Sequence, residues 1–271
     1  MRVMQPDWDF ADEAKRLRNS VPQAEHARET LAEDFCLRAM DGSVVALFLC
    51  GVIPARLHRR AFRSWYPRVK SHVTDRTEVL GTVTMSKSTC RDGAPSGFKG
   101  VNDEILASTP AGTALQATLG CSSKGNVTPM TEKHPDMLED NRELAELIDH
   151  QFKKHLPQFR EKALREIKKA PKRCRLLNTA FTSIYLLKSW SSRYHKDSNN
   201  LRGVLTALTA FGDFVGGELV LPRWAIAIAL KPGDLLFFDP QQVHGNLPFK
   251  GKRISAAFYC AQHVPDAPGL R

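Results

Sequence analysis

Residues 231–245 read KPGDLLFFDPQQVHG, and residues 252–259 read KRISAAFY. Asp234–Phe238 is a short apolar run with Pro232–Gly233 before it and Pro240 after it, the pattern of a brief, buried strand between turns. Ile254–Cys260 repeats it. Working backwards, the same rhythm holds at Ala225–Leu230, Glu218–Leu221, Val204–Phe211 and Phe181–Leu187, with Gly203, Gly212, Gly216, Gly217, Pro222 and Gly245 as punctuation. Closely spaced short strands separated by turn signals predict a sandwich or barrel such as a jelly roll. Upstream the text changes. Leu138–Lys169 is helical in composition with a break near Pro157, and Pro54 opens another helical stretch, ARLHRRAFRSWYPRVKSH. Helices first and strands later predict an α+β fold, with N-terminal helices packed on one face of the β core.

Polar residues set into that core carry the chemistry. His195 and Asp197 stand at i and i+2, so on a strand their side chains share a face. His244 closes the first quoted stretch, and Gly245 beside it permits a tight backbone bend. Two histidines and a carboxylate are the ligand set of the facial triad that holds non-haem Fe(II), with the opposite face of the ion open. Ligands so far apart in sequence must be gathered by a sheet or barrel. A second His-x-Asp, His134–Pro135–Asp136, stands before a polar helix and reads as a turn and helix start. Arg253, on the strand after His244, carries a planar fork suited to gripping a carboxylate with two hydrogen bonds.

HKDSNN (195–200), GGELVLP (216–222), KPGDLLFFDPQQVHG and KRISAAFY together resemble the double-stranded β-helix of Fe(II)/2-oxoglutarate-dependent dioxygenases. Among these the chain is most similar to the TET/JBP group, which oxidises the methyl group of pyrimidine bases in nucleic acid. The resemblance is good over residues 176–262, vague over 44–100 and absent over 1–43. It implies that His195, Asp197 and His244 ligate Fe(II) and are the catalytic centre. It implies that Arg253 pairs with the distal carboxylate of 2-oxoglutarate, that Ser255 bonds the same carboxylate, and that O2 is the co-substrate. Tyr185, on the preceding strand, is a further candidate to face 2-oxoglutarate.

A base inside a duplex must be flipped out to reach such a centre. Tyr259 falls where the TET pattern places an aromatic residue at the base, although an aromatic in a terminal strand is also a common core residue. The pattern departs just after it: Ala261 stands where TET proteins have histidine, and His263 can replace that histidine only if the strand end bulges. Asn200 takes the place of an acidic base reader, and an amide pairs with adenine as well as with cytosine; it also suits a plain turn. The expected substrate is therefore 5-methylcytosine in DNA, with N6-methyladenine or thymine as alternatives. A protein or small-molecule hydroxylase on the same fold is the competing reading, because fold alone does not name a substrate.

The chain has 271 residues and a formal net charge of +10, from 39 Lys and Arg against 29 Asp and Glu. That excess suits a nucleic-acid partner, expected here as double-stranded DNA with a flipped base. Arg59, Arg60 and Arg63, and the cluster Lys168, Lys169, Lys172 and Arg173, are the candidate phosphate contacts. A solvated helix face accounts for either set equally well. No run is apolar enough for a membrane span, the first residues lack the apolar segment of a leader, and no protein partner is legible. Scattered cysteines without a Cys-x-x-Cys pair predict reduced thiols and a nuclear or cytosolic setting. The expected division is a helical extension over 1–43 and a dioxygenase domain over 44–271 with a helical insert at about 129–170. Within it, Val44–Ile53 and Thr77–Ser86 read as strands. Residues 87–128 read as a long loop whose start, from residue 86 to 100, sits over the substrate.

Overall fold

Leu235–Phe238 is a fully buried strand inside the larger of two antiparallel-rich sheets, as its flanking turn residues predict. The computed structural model describes residues 12–18, 20–69, 90–91, 94–95, 116–121, 125–197 and 199–262. Its core strands are β1 (Glu29–Leu31), β2 (Phe35–Arg38), β3 (Val44–Leu49), β4 (Gln116–Gly120), β5 (Ser183–Lys188) and β6 (Thr206–Gly216). They continue with β7 (Leu219–Leu221), β8 (Ile226–Ile228), β9 (Leu235–Phe238), β10 (Gly245–Asn246) and β11 (Phe249–Tyr259).

The major sheet has seven strands in the order β2-β3-β9-β6-β11-β5-β4, every neighbour antiparallel. The minor sheet has four, in the order β1-β8-β7-β10. Leu37, Phe48, Leu208, Leu236 and Phe238 from the first sheet pack with Leu31, Leu219, Leu221, Ile226 and Ile228 from the second. That apolar layer makes the two sheets a jelly roll. Alternation along each strand then sorts the side chains. Ile184, Leu186, Phe211, Ile254, Ala256 and Phe258 point to the outer face of the major sheet. Their neighbours Tyr185, Leu187, Arg253, Ser255 and Tyr259 therefore point inward, between the sheets.

Helices cover the outer face, except the first, whose Ala14 packs instead with Val220 and Ala227 of the minor sheet. They are α1 (Glu13–Arg16), α2 (Ala55–Trp65), α3 (Pro129–Lys133), α4 (Asp136–Glu139), α5 (Arg142–His155) and α6 (Pro157–Ile167). Leu57, Ala61 and Trp65 recur one turn apart on α2 and are buried, and Trp65 meets Phe211 edge-on with ring centroids 5.6 Å apart. Phe152 of α5 stacks on Phe237 at 5.1 Å and Phe181 at 5.7 Å. Pro157 sits in the first turn of α6, where its missing N–H has no partner to lose, so the break expected there is a helix boundary. His134 caps α3 and Asp136 opens α4, where it pairs with Arg68 at 2.6 Å.

The expected helical extension over 1–43 is corrected. Among its described residues only Glu13–Arg16 is α-helical, with a single 3-10 turn at Ala24–His26. Leu31, Phe35 and Leu37 are instead core residues of strands: β1 runs parallel to β8, and β2 pairs with β3 across the proposed boundary at residue 43. The alternating burial of Phe35–Arg38 is the period-2 signal that the helical spacing over a longer window obscured. Gln116–Gly120, expected as loop, is a strand on the edge of the major sheet. Thr77–Ser86 and residues 86–89 lie outside the described residues. Cys121 and Cys174 are joined, with Cα atoms 5.0 Å apart, whereas Cys36, Cys50 and Cys260 are free. The expectation of uniformly reduced thiols is corrected on this point, because β4 and the 3-10 turn Lys172–Cys174 converge at the sheet edge.

Asp149 ties the helical layer to the sheet. Its Oδ1 accepts from Arg160 Nε at 3.0 Å and from the Ala180 backbone N–H at 2.9 Å, and its Oδ2 accepts from Arg160 Nη2 at 2.7 Å. Asp149→Ala strands a largely buried guanidinium and a buried N–H, and should destabilise the fold by about 2–3 kcal/mol. Chemical denaturation of the variant and the parent measures that difference.

Candidate metal centre and its pocket

His195 and His244 are brought together by main chain before any side chain acts. His195 N–H donates to His244 O at 2.9 Å and His244 N–H donates to His195 O at 3.0 Å. Asn246 N–H donates to Ser192 O at 3.0 Å, so the irregular segment 192–195 lies alongside His244 and β10. The role expected for Gly245 is corrected in kind. Its φ is not in the left-handed region, but a Cβ there would stand 3.0 Å from Ser192 O and 2.7 Å from the Pro22 ring. Glycine permits the close approach of the two segments, not a bend.

Each imidazole is oriented by a backbone carbonyl. His195 Nδ1 lies 2.7 Å from Arg193 O, and His244 Nδ1 lies 2.9 Å from Gln242 O. A proton on each Nδ1 leaves each Nε2 with its lone pair, the arrangement that metal-binding histidines adopt. Both Nε2 atoms face Asp197: Oδ1 is 3.3 Å from His195 Nε2, and Oδ2 is 3.8 Å from His244 Nε2. Asp197 is held in turn by its own N–H on Pro240 O at 2.9 Å and by Gln241 Nε2 on its carbonyl at 3.0 Å. One ligand atom from each of the three residues lies within 4.8 Å of the others. The His244 side chain is 5% exposed, against 21% for His195 and 29% for Asp197, so the group opens on the side of the His-x-Asp turn.

Electrostatics agree with a cation site. Burial, then the neighbouring His195, pulls the His244 imidazole down to about 4, so it is neutral at pH 7. Burial also opposes charge on His195, but the hydrogen bond and charge of Asp197 outweigh it and raise that imidazole above its ordinary value. Burial pushes Asp197 up, and the His195 hydrogen bond with the charge of His244 brings it below the usual carboxylate range. A carboxylate and two Nε2 lone pairs turned toward one point, in a pocket that disfavours isolated charge, fit a divalent ion of the Fe(II) type.

Arg253 extends the site. Its side chain is buried on the inward face of β11, with the guanidinium 5.3 Å from the centres of both the Phe214 and Phe249 rings. Burial lowers it to about 10, partly offset by Glu218, and its Nε has no hydrogen-bond partner among the described residues. A buried cation with an unmet donor fits a carboxylate ligand. Gly217 makes room for it: a Cβ there would stand 3.5 Å from Arg253 Nε and 3.2 Å from Phe249 Cβ. Ser255 shares the inward face, where its hydroxyl has one long bond, 3.4 Å, to Leu187 O.

Tyr185 and Tyr259 line the same face. Tyr185 OH donates to Gln116 Oε1. Burial first, then the Asp197 charge, raises the Tyr185 phenol, which puts that ring within electrostatic reach of Asp197. Tyr259 is likewise raised by burial, moderated by a hydrogen bond with Ser183, and it too senses Asp197. Asn200 is drawn into the support of the triad. Its Nδ2 donates to Thr206 Oγ1 at 2.9 Å and to Asp197 Oδ2 at 3.4 Å, and the residue is buried. Both amide hydrogens are thereby engaged, one of them on the ligand carboxylate, so toward a base edge the side chain offers its carbonyl oxygen as acceptor. His263 lies outside the described residues. The preceding Gln262 N–H donates to Asn199 O at 2.9 Å, which lays the end of the chain's last strand beside the His-x-Asp turn.

Sequence reasoning missed Gln116, Thr206 and Asp239. Asp239 accepts from the Gln241 N–H at 3.0 Å and from Gln242 Nε2 at 2.8 Å, locking the turn that presents His244. The Asp-Pro at 239–240 was a legible turn signal for that role. Nothing in the sequence marked Gln116, which pairs with Tyr185 only through the sheet.

The two basic clusters part company. Lys168, Lys169, Lys172 and Arg173 are exposed at the end of α6, where Lys169 pairs with Glu166 at 2.8 Å. The Cys121–Cys174 link and the bonds Cys121 N–H to Thr182 O and Thr182 N–H to Tyr259 O, both 3.0 Å, put this cluster at the Tyr259 end of the sheet. Arg59, Arg60 and Arg63 are on α2, which packs on the outer face of the major sheet. The sheet separates them from the triad.

The family described as Tet_JBP, oxygenase domain of the 2OGFeDO superfamily, matches residues 119–262, which hold the triad, Arg253 and both tyrosines. This chain belongs to that family. Its members are Fe(II)- and 2-oxoglutarate-dependent dioxygenases with O2 as co-substrate, and the chain carries that oxygenase domain. Among curated relatives, the bifunctional helicase and thymine dioxygenase JBP2 of Trypanosoma brucei brucei is 36% identical over 105 residues, 38% of this chain and 10% of that protein. The JBP2 of Trypanosoma cruzi is 32% identical over 95 residues, 33% of this chain and 9% of that protein. The chain thus spans only a small part of the length of these relatives. The structure of NgTET1 in complex with 5mC DNA superposes with a TM-score of 0.52 at 15% identity, over 93% of this chain and 91% of that one. That likeness shows the shared jelly-roll fold. No described helix is long and apolar enough to cross a membrane.

Two substitutions separate ligand from support. Asp197→Ala should abolish Co(II) binding, read by the visible spectrum of the substituted protein, with the fold retained. Asn200→Leu should keep the ligand set but weaken the metal by roughly tenfold to a hundredfold, because the carboxylate loses its orienting donor. Equal affinity in parent and Asn200→Leu would deny the amide that role.

Proposed function

We propose that this chain oxidises the 5-methyl group of a pyrimidine base in DNA, with 5-methylcytosine as first substrate and 5-hydroxymethylcytosine, then more oxidised forms, as products. The observation that carries this reading is the ligand-ready set His195, Asp197 and His244, with His244 buried, which opens into the space between the sheets toward which Arg253, Tyr185 and Tyr259 point, in a chain of the Tet_JBP family. His195, Asp197 and His244 hold Fe(II), and the loaded centre with 2-oxoglutarate and O2 supplies an oxidant for an unactivated C–H bond.

The chain's own residues do the rest. Arg253, with Ser255 beside it, grips the distal carboxylate of 2-oxoglutarate from a dry pocket between Phe214 and Phe249. Tyr185, fixed by Gln116, bounds the co-substrate side. Tyr259, kept protonated by burial, offers its ring and its hydroxyl to a flipped base. Lys168, Lys169, Lys172 and Arg173, at the same end of the sheet, hold the flanking phosphates. Acting on DNA, the protein works in the nucleus.

Thymine is the second reading. The relatives that are 32–36% identical over their aligned stretches bear the name thymine dioxygenase. Thymine and 5-methylcytosine share the methyl group and differ at the exocyclic position, an acceptor in one and a donor in the other. A tyrosine hydroxyl serves either.

Arg253→Ala should raise the 2-oxoglutarate concentration needed for half-maximal turnover by roughly a hundredfold, the scale of removing one partner of a desolvated charge pair. Succinate release against co-substrate concentration measures it. The substrate itself is decided by incubating the protein with Fe(II), 2-oxoglutarate, ascorbate and duplexes carrying 5-methylcytosine, N6-methyladenine or only ordinary bases. Digestion to nucleosides and mass spectrometry should find 5-hydroxymethylcytosine. 5-Hydroxymethyluracil from ordinary duplex would favour thymine, and loss of N6-methyladenine would move the chemistry to adenine. Steady succinate formation with every nucleoside unchanged would overturn the nucleobase reading.

A further inference from the structure

On the outer side of the major sheet, α2 and the junction of α4 and α5 enclose a concavity of about 650 Å³ lined by Arg56, Arg59, Arg60, Arg63, Arg68 and Asp140. The acids beside it are engaged, while Asp140 on its lining is exposed, takes Arg60 Nη1 on its backbone O at 3.2 Å and leaves one carboxylate against five arginines. Glu143 is shared by Arg56 and Arg60, and Asp136 holds Arg68 at 2.6 Å. Arg59 and Arg63 are exposed and make no ion pair among the described residues. They stand one turn apart on the same helix face, where like charges repel and weaken the helix. A helix needs no such pair for packing, since Leu57, Ala61 and Trp65 alone seat it on the sheet.

We infer that this concavity is a second binding site for the phosphodiester backbone of nucleic acid, separate from the catalytic mouth. The Cα atoms of Arg59 and Arg63 lie about 6 Å apart along the helix axis at 1.5 Å per residue, so their side chains start from neighbouring turns. That separation suits two phosphate groups of one strand, each able to receive two parallel hydrogen bonds from a guanidinium fork. Arg56 and Arg60, half spent on one carboxylate, border the path on the same face. The mouth at Tyr259 opens between the sheets, whereas α2 stands behind the seven-stranded sheet, with its own thickness of about 10 Å added. One straight stretch of duplex cannot lie on both. The site therefore holds backbone distant from the base being oxidised, whether farther along a bent duplex or on another strand, and raises the local concentration of substrate at the mouth.

This site rests on the reading of nucleic acid as substrate, so binding is measured apart from turnover. Binding of an unmodified, fluorescently labelled 30-base-pair duplex is followed by anisotropy across a salt series, without cofactors. Arg59→Gln/Arg63→Gln should lower the slope of log affinity against log salt by about 2, at about 0.9 for each phosphate no longer neutralised, and weaken binding at least tenfold at low salt. A melting temperature equal to the parent's shows that α2 remains seated. Arg59→Lys/Arg63→Lys, which keeps the charges but not the forks, should recover most of the slope. An unchanged slope and affinity in the glutamine variant would overturn the site. Because the probe carries no modified base and no turnover is read, failure to oxidise DNA leaves this result untouched and sinks only the substrate assignment.

Discussion

The site depends on one reciprocal pair of backbone hydrogen bonds, His195 N–H to His244 O and His244 N–H to His195 O, at 2.9 and 3.0 Å. These bonds set the spacing of two imidazoles from distant parts of the sequence, and they are made by main chain that the sheet already orders. Orientation then costs little more. Arg193 O and Gln242 O take the Nδ1 protons, and the Nε2 atoms turn to Asp197 with no further choice. A metal site built this way does not need its metal to draw the ligands together. The entropy of assembling the ligands is absorbed in folding, which leaves more of the binding energy for the ion.

The same logic explains what could be read from the sequence and what could not. The strands β5 to β9 and β11 were legible because each holds a short apolar run with turn residues beside it, although β6 and β11 extend to eleven residues through polar and glycine positions that carried no such signal. The His-x-Asp and the later histidine were legible because period-2 geometry fixes which side chains share a face. Glu29–Arg38 was misread as helix because β1 and β2 are too short to show a period of their own; their pairing with β8 and β3 is a tertiary fact. The support that Asn200 gives to Asp197 was not legible for a related reason. Asparagine fits a base reader, a turn and a ligand support alike, and only the 2.9 Å bond to Thr206 on a strand beyond the turn tells them apart. Gln116 carried no signal, since its partner Tyr185 is met across a sheet edge.

Charge reads differently from pattern. The excess of cations suggested a polyanion but could not say where it lies, because net charge has no position. Folding divides the basic residues into a cluster beside Tyr259 and an arginine face on α2 behind the sheet. Composition made them look like one surface. The seven-stranded sheet, which carries Arg253, Tyr185 and Tyr259 on its inner face, is also the wall that keeps these two surfaces apart.

Arg253 shows how far the pocket is committed before any ligand arrives. A guanidinium between two phenylalanine rings, with one donor unmet and its charge disfavoured by burial, is a destabilising feature of the folded chain on its own. It is tolerable because Glu218 acts at longer range and the ring faces are electron-rich. A dicarboxylic co-substrate that reaches both Arg253 and the triad removes that penalty at one end while occupying the open side of the metal at the other. A ligand with only one carboxylate satisfies one of the two. Under the proposed assignment of Arg253 to the distal carboxylate, a cation and a ligand set placed by strands of opposing sheets would select the co-substrate by length as well as by charge, before the base enters.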